Sequence, residues 1–507
     1  MMNMNRSGPG PHMEPPANAM GRAVIIGLIA AIVFMSMRLY VYGYRIAADD
    51  VEFFFNYLSG PEAVEAHVRY LATYQGRVGQ LLMARLNTFG AYLAGGIGGM
   101  SVILLLYLLQ FWLFSIYVSK LVRADISVLL FILLVVLHPL AYEHMPPNSY
   151  PLQNTVPFIF IIVSRLVFFR LSDAADTLWP RLLSALAWML FVLGMVFGEF
   201  SFVFGTALLL AEYVTRIVRA SRSGDSFERI VRSLARAPRF HDDVWAVALV
   251  LVAYVGFGLA HPTQYGGHDV ALDAPRLLET VARHILAGTV LPRIDVLYIP
   301  FPWTAYLQAA AVGAGAAVCI YYCSSGLEGI RAPALTGVLA LVCAVYVTLP
   351  LAVTSKQQLW CVEWDLCGYL DTRVSYLWVI VFVVCCMALV LRAASGARLA
   401  RIALCIVLGT AAAATHLHNW SVSRQMRQSH NVWKRASMLA CDPAVQAADN
   451  DRLMQLVDPE GRIILHSWLP PVADMWRLFM RREAQGRNCP ASLQGAGPSP
   501  TGTHGGK

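Results

Sequence analysis

The stretch AVIIGLIAAIVFMSMRLYVYGY, residues 23–44, closed by Ala48-Asp49-Asp50-Val51-Glu52, decides the class of fold. About twenty consecutive, mostly apolar residues suffice to cross the hydrocarbon core of a bilayer as a helix. The segment is too long for the apolar core of a signal peptide. No small-residue cleavage site follows it before the acidic pair, so it reads as a retained transmembrane helix. Two adjacent carboxylates just beyond it repel, and one is driven to a higher pKa unless a cation or metal lies between them. The pair suits a general base or a metal site. It would also serve as a solvated acidic turn capping the next helix.

Outward from this stretch the chain keeps the same character. Of 507 residues, 57% are hydrophobic and only 14% charged, with a mean hydropathy of +0.55. Soluble chains carry about 25% charged residues, so an all-α polytopic membrane protein is expected. The net charge of +8 rests on arginine, because Lys120, Lys356, Lys434 and Lys507 are the only lysines. These arginines gather in particular loops, which makes them topology determinants and not a nucleic-acid surface.

Stretches of about 20 apolar residues recur near 23–44, 97–119, 126–142, 153–170, 182–197, 200–217, 244–260, 303–322, 333–353, 374–392 and 399–415, eleven spans in all. With the N-terminus cytoplasmic, the loops at 120–125, 171–181, 218–243, 323–332 and 393–398 are cytoplasmic too. The longest holds Arg219, Arg222, Arg229, Arg232, Arg236 and Arg239, with Arg216 at its edge and only Asp225 and Glu228 between them. That excess marks the inner side. Residues 78–94 are apolar enough to span, but Arg85 and Asn87 sit mid-segment, so an interfacial helix is expected there. Only Gly198-Glu199 separates 182–197 from 200–217, so one long bent helix is the alternative.

The outer loops hold the chemistry. Residues 45–80 contain the acidic pair, Ser59-Gly60-Pro61, an amphipathic run and Gln75-Gly76-Arg77. Residues 143–152 are polar and aromatic and begin Glu143-His144, which would bind a metal or orient a hydroxyl, or simply be a solvated helix end. Residues 261–302 include an amphipathic stretch from Ala274 to Leu286. Residues 354–373 carry Lys356, Glu363, Asp365, Asp371 and Arg373. The guanidinium fork meets two phosphate oxygens at once, and Arg77, Arg283, Arg293 and Arg373 are the outer candidates. Phe53-Phe54-Phe55 reads as interface packing, and His416-Leu417-His418 is a weak metal signal. No phosphate-cradling glycine loop is present, so any sugar donor would be carried by the membrane. The spans look nearly free of charge at their centres, apart from Glu199.

In layout over roughly 20–415 the chain resembles the GT-C superfamily of membrane glycosyltransferases. The resemblance is carried by Asp49-Asp50 after the first helix, the amphipathic helices of that loop, and Arg373 opening a late helix. It is most similar to bacterial O-antigen-modifying glucosyltransferases, where an early Asp-Asp precedes a Gly-Arg, here Gly76-Arg77. The resemblance implies inverting transfer from a polyprenyl-phosphate sugar to a glycan, lipid or protein acceptor, at the outer face of a bacterial inner membrane. Asp49 would be the base and Asp50 its helper or a ligand of a divalent metal such as Mg or Mn. Arg77, Lys356 and Arg373 would hold the phosphate, with Glu143 and His144 near the substrate. A transporter or flippase of lipid-linked sugar is the competing class, and it would place its ionisable groups near the bilayer midplane.

Four regions are expected: a disordered 1–20, a transmembrane domain 21–415, a small extracytoplasmic domain 416–490, and a disordered 491–507. The orientation makes a direct prediction. A reporter that fluoresces only in the cytoplasm, fused after Ala440, should stay dark, and a bright fusion would invert the whole topology.

Overall fold

The computed structural model describes residues 17–43, 49–141, 147, 149–171, 178–292, 298–364, 367–461, 472–487 and 489. Among them the chain is helical apart from loops and one antiparallel bridge between Val270 and Thr354. Helix α1 (Ala17–Gly43) leads to three helices, α2 (Asp49–Ser59), α3 (Pro61–Gln75) and α4 (Gln80–Ala94). The bundle continues with α5 (Ile97–Val122), α6 (Ser127–Val136), α7 (Val156–Leu171), α8 (Leu178–Val196), α9 (Glu199–Arg222), α10 (Phe227–Arg236) and α11 (Pro238–Ala260). Then come α12 (Ala274–Ala287), α13 (Trp303–Cys323), α14 (Pro333–Ala352), the single turn α15 (Ser355–Gln358) and α16 (Leu370–Ala393). The chain closes with α17 (Ala397–Leu439), α18 (Pro443–Gln446), α19 (Asn450–Val457) and α20 (Val472–Gly486).

Nine of the described helices are long and apolar enough to cross a membrane. The chain is a multi-pass membrane protein. The stretches near 126–142 and 153–170 differ from the rest: α6 has 10 residues and α7 16. At 1.5 Å per residue α6 covers only about 15 Å. Pro139 follows His138 directly, and a residue before proline is pushed out of the helical region. Since α6 and α7 run out and back, counting both or neither leaves the parity downstream unchanged. The 182–217 region is two helices, parted at Gly198. Residues 78–94, expected as an interfacial helix, hold α4, with Arg85 exposed and paired to Glu65 at 2.6 Å.

Two apolar cores organise these helices. The larger lies among the membrane helices and is rich in aromatic side chains such as Phe111, Phe114, Phe158 and Trp378. Helices α13 and α17 approach so closely that a Cβ on Gly313 would lie 2.6 Å from the Gly409 carbonyl oxygen. The second core joins Val51, Phe53 and Phe54 of α2 to Trp433 of α17 and Trp476 of α20. The Phe54 and Trp433 rings meet edge to face at 5.6 Å. α17 is 43 residues long and runs without a break through 415–416. It carries the membrane bundle directly into this second core, the cap.

The expectation that the span interiors lack charge does not hold. Arg165 of α7 is fully buried, with Nε and one terminal nitrogen donating to Glu212 of α9 at 2.9 and 2.8 Å. The guanidinium also donates to both oxygens of Asp243 of α11, at 2.5 and 3.0 Å. Arg239 adds a third bond to Glu212 at 2.9 Å, and the Tyr213 hydroxyl donates to Asp243 at 2.6 Å. With Arg216 3.8 Å from Glu212 as well, three cations face two carboxylates, and the cluster ties three helices together. Removing one partner of such a buried set typically costs about 3–5 kcal/mol.

Cys361–Cys367 and Cys441–Cys489 are disulfides, with Cα–Cα separations of 4.5 and 5.6 Å. The other cysteines, Cys319, Cys323, Cys343, Cys385, Cys386 and Cys405, are free and lie in the membrane helices. Thiol labelling of unreduced, denatured protein should therefore modify six of the ten cysteines. Labelling of all ten without reductant would rule out both bridges.

Candidate functional site

Between α6 and α7 the described residues of 137–155 are not helical, yet they lie inside the helix bundle. Buried backbone outside a helix needs partners for its polar groups. Here side chains from distant helices supply them. Asn419 of α17 accepts from the Leu140 N–H at 2.7 Å and donates to the His138 carbonyl at 3.0 Å. His418 Nε2 lies 2.8 Å from the Leu140 carbonyl, and the Gln110 amide of α5 donates to the Asn154 carbonyl at 3.2 Å. Asn87 of α4 donates to the Gln153 side chain at 3.0 Å.

Asp50 belongs to this set. Its carboxylate accepts from the Tyr150 N–H, with the oxygens at 3.1 and 3.2 Å, and the residue has no exposed surface. Tyr150 has φ +50°; it and Arg123 are the only described non-glycine residues with positive φ. A bulky side chain there costs on the order of 1–3 kcal/mol and persists only when its surroundings enforce it. Asp50 supplies part of that enforcement. Asp49 opens α2 by its backbone, one position earlier. Helix geometry separates consecutive positions by about 100°, so positions 49 and 50 belong to different faces of α2. Nearby, His67 of α3 stands 3.5 Å from Glu52, and burial pushes its pKa down to about 4. It is therefore neutral at neutral pH.

Arg373, in the first turn of α16, is fully buried. It donates to the Thr155 hydroxyl at 3.2 Å and to the Gln110 side-chain carbonyl, and its guanidinium carbon stands 3.9 Å over the Tyr107 ring. Its Nε has no partner, and among the described residues no carboxylate pairs with it. Beyond Tyr107 lies His138, whose ring nitrogens meet the Tyr107 hydroxyl at 2.8 Å and the Tyr40 hydroxyl at 3.1 Å. Asp371, two residues before Arg373, is turned to His284 of α12, with Nδ1 2.9 Å from its nearer oxygen; both are fully buried.

The other cations lie apart from Arg373. Arg77 pairs with Glu199 at 2.9 Å, both partly exposed, where α3 ends and α9 begins. Gly76 takes φ +63° there, and a Cβ on it would meet the His261 carbonyl oxygen at 2.6 Å, so only glycine fits the turn. Lys356 donates to the Tyr265 hydroxyl at 2.5 Å and sits 4.2 Å over the Trp360 ring. Arg77 and Lys356 thus border opposite ends of the loop 261–265, while Arg373 contacts the interior segment that also receives Asp50. Arg283 binds Glu279 and the Cys361 carbonyl. Glu143, His144, Arg293 and Asp365 lie outside the described residues.

Sequence reasoning found Asp50 and Arg373 but missed what they hold. Tyr40, Tyr107, Gln110, Asn154, Thr155 and Asn419 are polar residues in apolar or aromatic surroundings. His138-Pro139 at the end of an apolar run was the visible sign of the break. Among the described residues both Asp50 oxygens face the Tyr150 N–H. No protein-family model, curated protein or solved structure matches the chain.

This geometry predicts the behaviour of Asp50 substitutions. Asp50→Ala leaves a buried N–H without its acceptor, a loss of about 1–3 kcal/mol. Its thermal midpoint in detergent should fall by several degrees. Asp50→Asn keeps one acceptor oxygen and should lose less, and Tyr150→Gly on the Asp50→Ala background should recover part of the loss. An Asp50→Ala protein as stable as the parent would mean that the Tyr150 contact contributes nothing.

Proposed function

We propose that the chain transfers a sugar, with inversion, from a polyprenyl-phosphate donor to a glycan, lipid or protein acceptor at the outer face of a bacterial inner membrane. The observation that carries this reading is Arg373, a fully buried guanidinium that faces only neutral groups among the described residues. A buried charge without a counter-charge is strongly unfavourable. An anion brought into its reach relieves that, and the leaving group of the proposed reaction is a phosphate whose charge grows as the glycosidic bond breaks. The segment that Arg373 contacts is also the one that Asp50 holds.

In this reading Asp50 is a positioning residue. It fixes the Tyr150 turn and, with it, the start of α2. Asp49, next to it, accepts the proton from the acceptor hydroxyl as that oxygen attacks the anomeric carbon. The electron pair of the breaking bond leaves with the phosphate. Arg77 and Lys356 lie at the rim of the cap, where they suit capture of the donor headgroup before transfer. Arg77 would exchange its Glu199 partner for phosphate on capture.

A transporter or flippase is favoured by one observation, the charged cluster of Arg165, Glu212 and Asp243 inside the bundle. Its oxygens are engaged by arginine and tyrosine, so it serves better as a helix tie than as a transit site.

The test is transfer by purified, reconstituted protein with its own lipid-linked donor. Asp49→Asn keeps the shape but removes the proton acceptor, and such a loss typically slows the reaction about 100- to 10,000-fold. The protein should still insert and still bind donor. Near-normal turnover would refute Asp49 as base. Mass spectrometry of surface polysaccharide from cells with and without the chain would identify sugar and acceptor.

A further inference from the structure

At the arginine-rich end of the bundle, opposite the cap, α5, α9 and α14 enclose a cavity of about 280 Å³. Arg123, Arg219, Arg222 and Arg331 line it, and no acidic residue does. Elsewhere in this basic region arginines have carboxylate partners: Arg216 and Arg239 with Glu212, Arg229 with Asp225, Arg232 with Glu228. None of the four cavity arginines forms an ion pair among the described residues. Arg219 donates to the Leu121 carbonyl, which anchors its guanidinium at the wall.

The backbone supports the same point from another direction. Arg123 is the C-cap of α5 in the left-handed region, φ +56°. Glycine is the usual occupant of that conformation because any side chain there is strained. The arginine placed there instead delivers a fourth positive group to the cavity. Four converging like charges repel, and an anion among them removes the repulsion. The remaining wall is apolar, with Val214, Leu335 and Leu339 beside the arginines. Guanidinium groups above an apolar floor suit a phosphate attached to a hydrophobic body.

We propose that this cavity is a phosphate-binding site on the cytoplasmic face, separate from the outer site. The shared chemistry is a phosphate group gripped by the half-buried Arg219, with the exposed Arg123, Arg222 and Arg331 around it at the rim. Its source is either the headgroup of an anionic inner-leaflet lipid or free phosphate. A bound lipid phosphate would also seal three helix ends against one another.

Full-length protein in neutral detergent, titrated with phosphatidylglycerol, with diacylglycerol and with inorganic phosphate, separates these cases by native mass spectrometry. Retention of phosphatidylglycerol over diacylglycerol, undisturbed by excess inorganic phosphate, identifies a lipid headgroup. Retention of inorganic phosphate itself identifies the free ion. Arg219→Gln with Arg331→Gln should weaken whichever binds about tenfold or more, as expected for lost charged hydrogen bonds. Arg229→Gln with Arg232→Gln, on the paired arginines, should leave it unchanged. If the first pair fails to fold, Arg123→Gln with Arg222→Gln at the exposed rim takes its place. Wild-type protein that retains neither phosphate compound overturns the proposal. So does an equal loss from the paired-arginine control, which would reduce the effect to general basic attraction.

Discussion

Everything around the candidate site depends on one requirement: buried backbone that leaves the helical pattern must find its hydrogen-bond partners in the protein. The segment between α6 and α7 meets it by borrowing from α2, α5 and α17, whose side chains hold its backbone, and from α1, α4 and α16, which hold its side chains. These helices are far apart in sequence, so the segment acts as the knot at which the first and last thirds of the chain are joined. Asp50 and Asn419 are equivalent in this sense. Each offers a short polar group from a helix whose other face packs in an apolar core.

Two fully buried arginines show how differently one residue type can be used. Arg165 meets two carboxylates and saturates them, which spends its charge on cohesion. Arg373 meets an amide, a hydroxyl and an aromatic face, which orient the guanidinium but leave its charge uncancelled. The first arrangement is stable as it stands, while the second gains from an incoming anion. Burial alone would not have told them apart; the partners do.

Much of this was legible beforehand. Hydropathy located the nine long helices, and Arg85 and Asn87 marked 78–94 as a helix of a different kind. What stayed hidden had a physical cause in each case. The short α6 ends at His138-Pro139, but the apolar run around it masks the break from any window of twenty residues. Arg165, Glu212 and Asp243 lie on three separate helices, 47 and 31 positions apart in the chain, so no local pattern announces their meeting. The tail beyond 415 reads as a change of character because its composition turns polar, whereas α17 passes through that point without a break. Composition reports the solvent a residue meets, and a single helix can meet two.

That uninterrupted helix has a mechanical consequence. Forty-three residues rise about 65 Å, roughly twice the hydrocarbon thickness, and α17 is locked to α13 by the reciprocal approach of Gly313 and Gly409. With no hinge between its lipid-facing and water-facing halves, α17 behaves as a rigid mast. A thicker or thinner bilayer is met by tilting the mast as a whole. Any tilt is carried undiminished to Asn419 and to Trp433 beneath the cap, so the elastic state of the surrounding lipid sets the attitude of the outer surface.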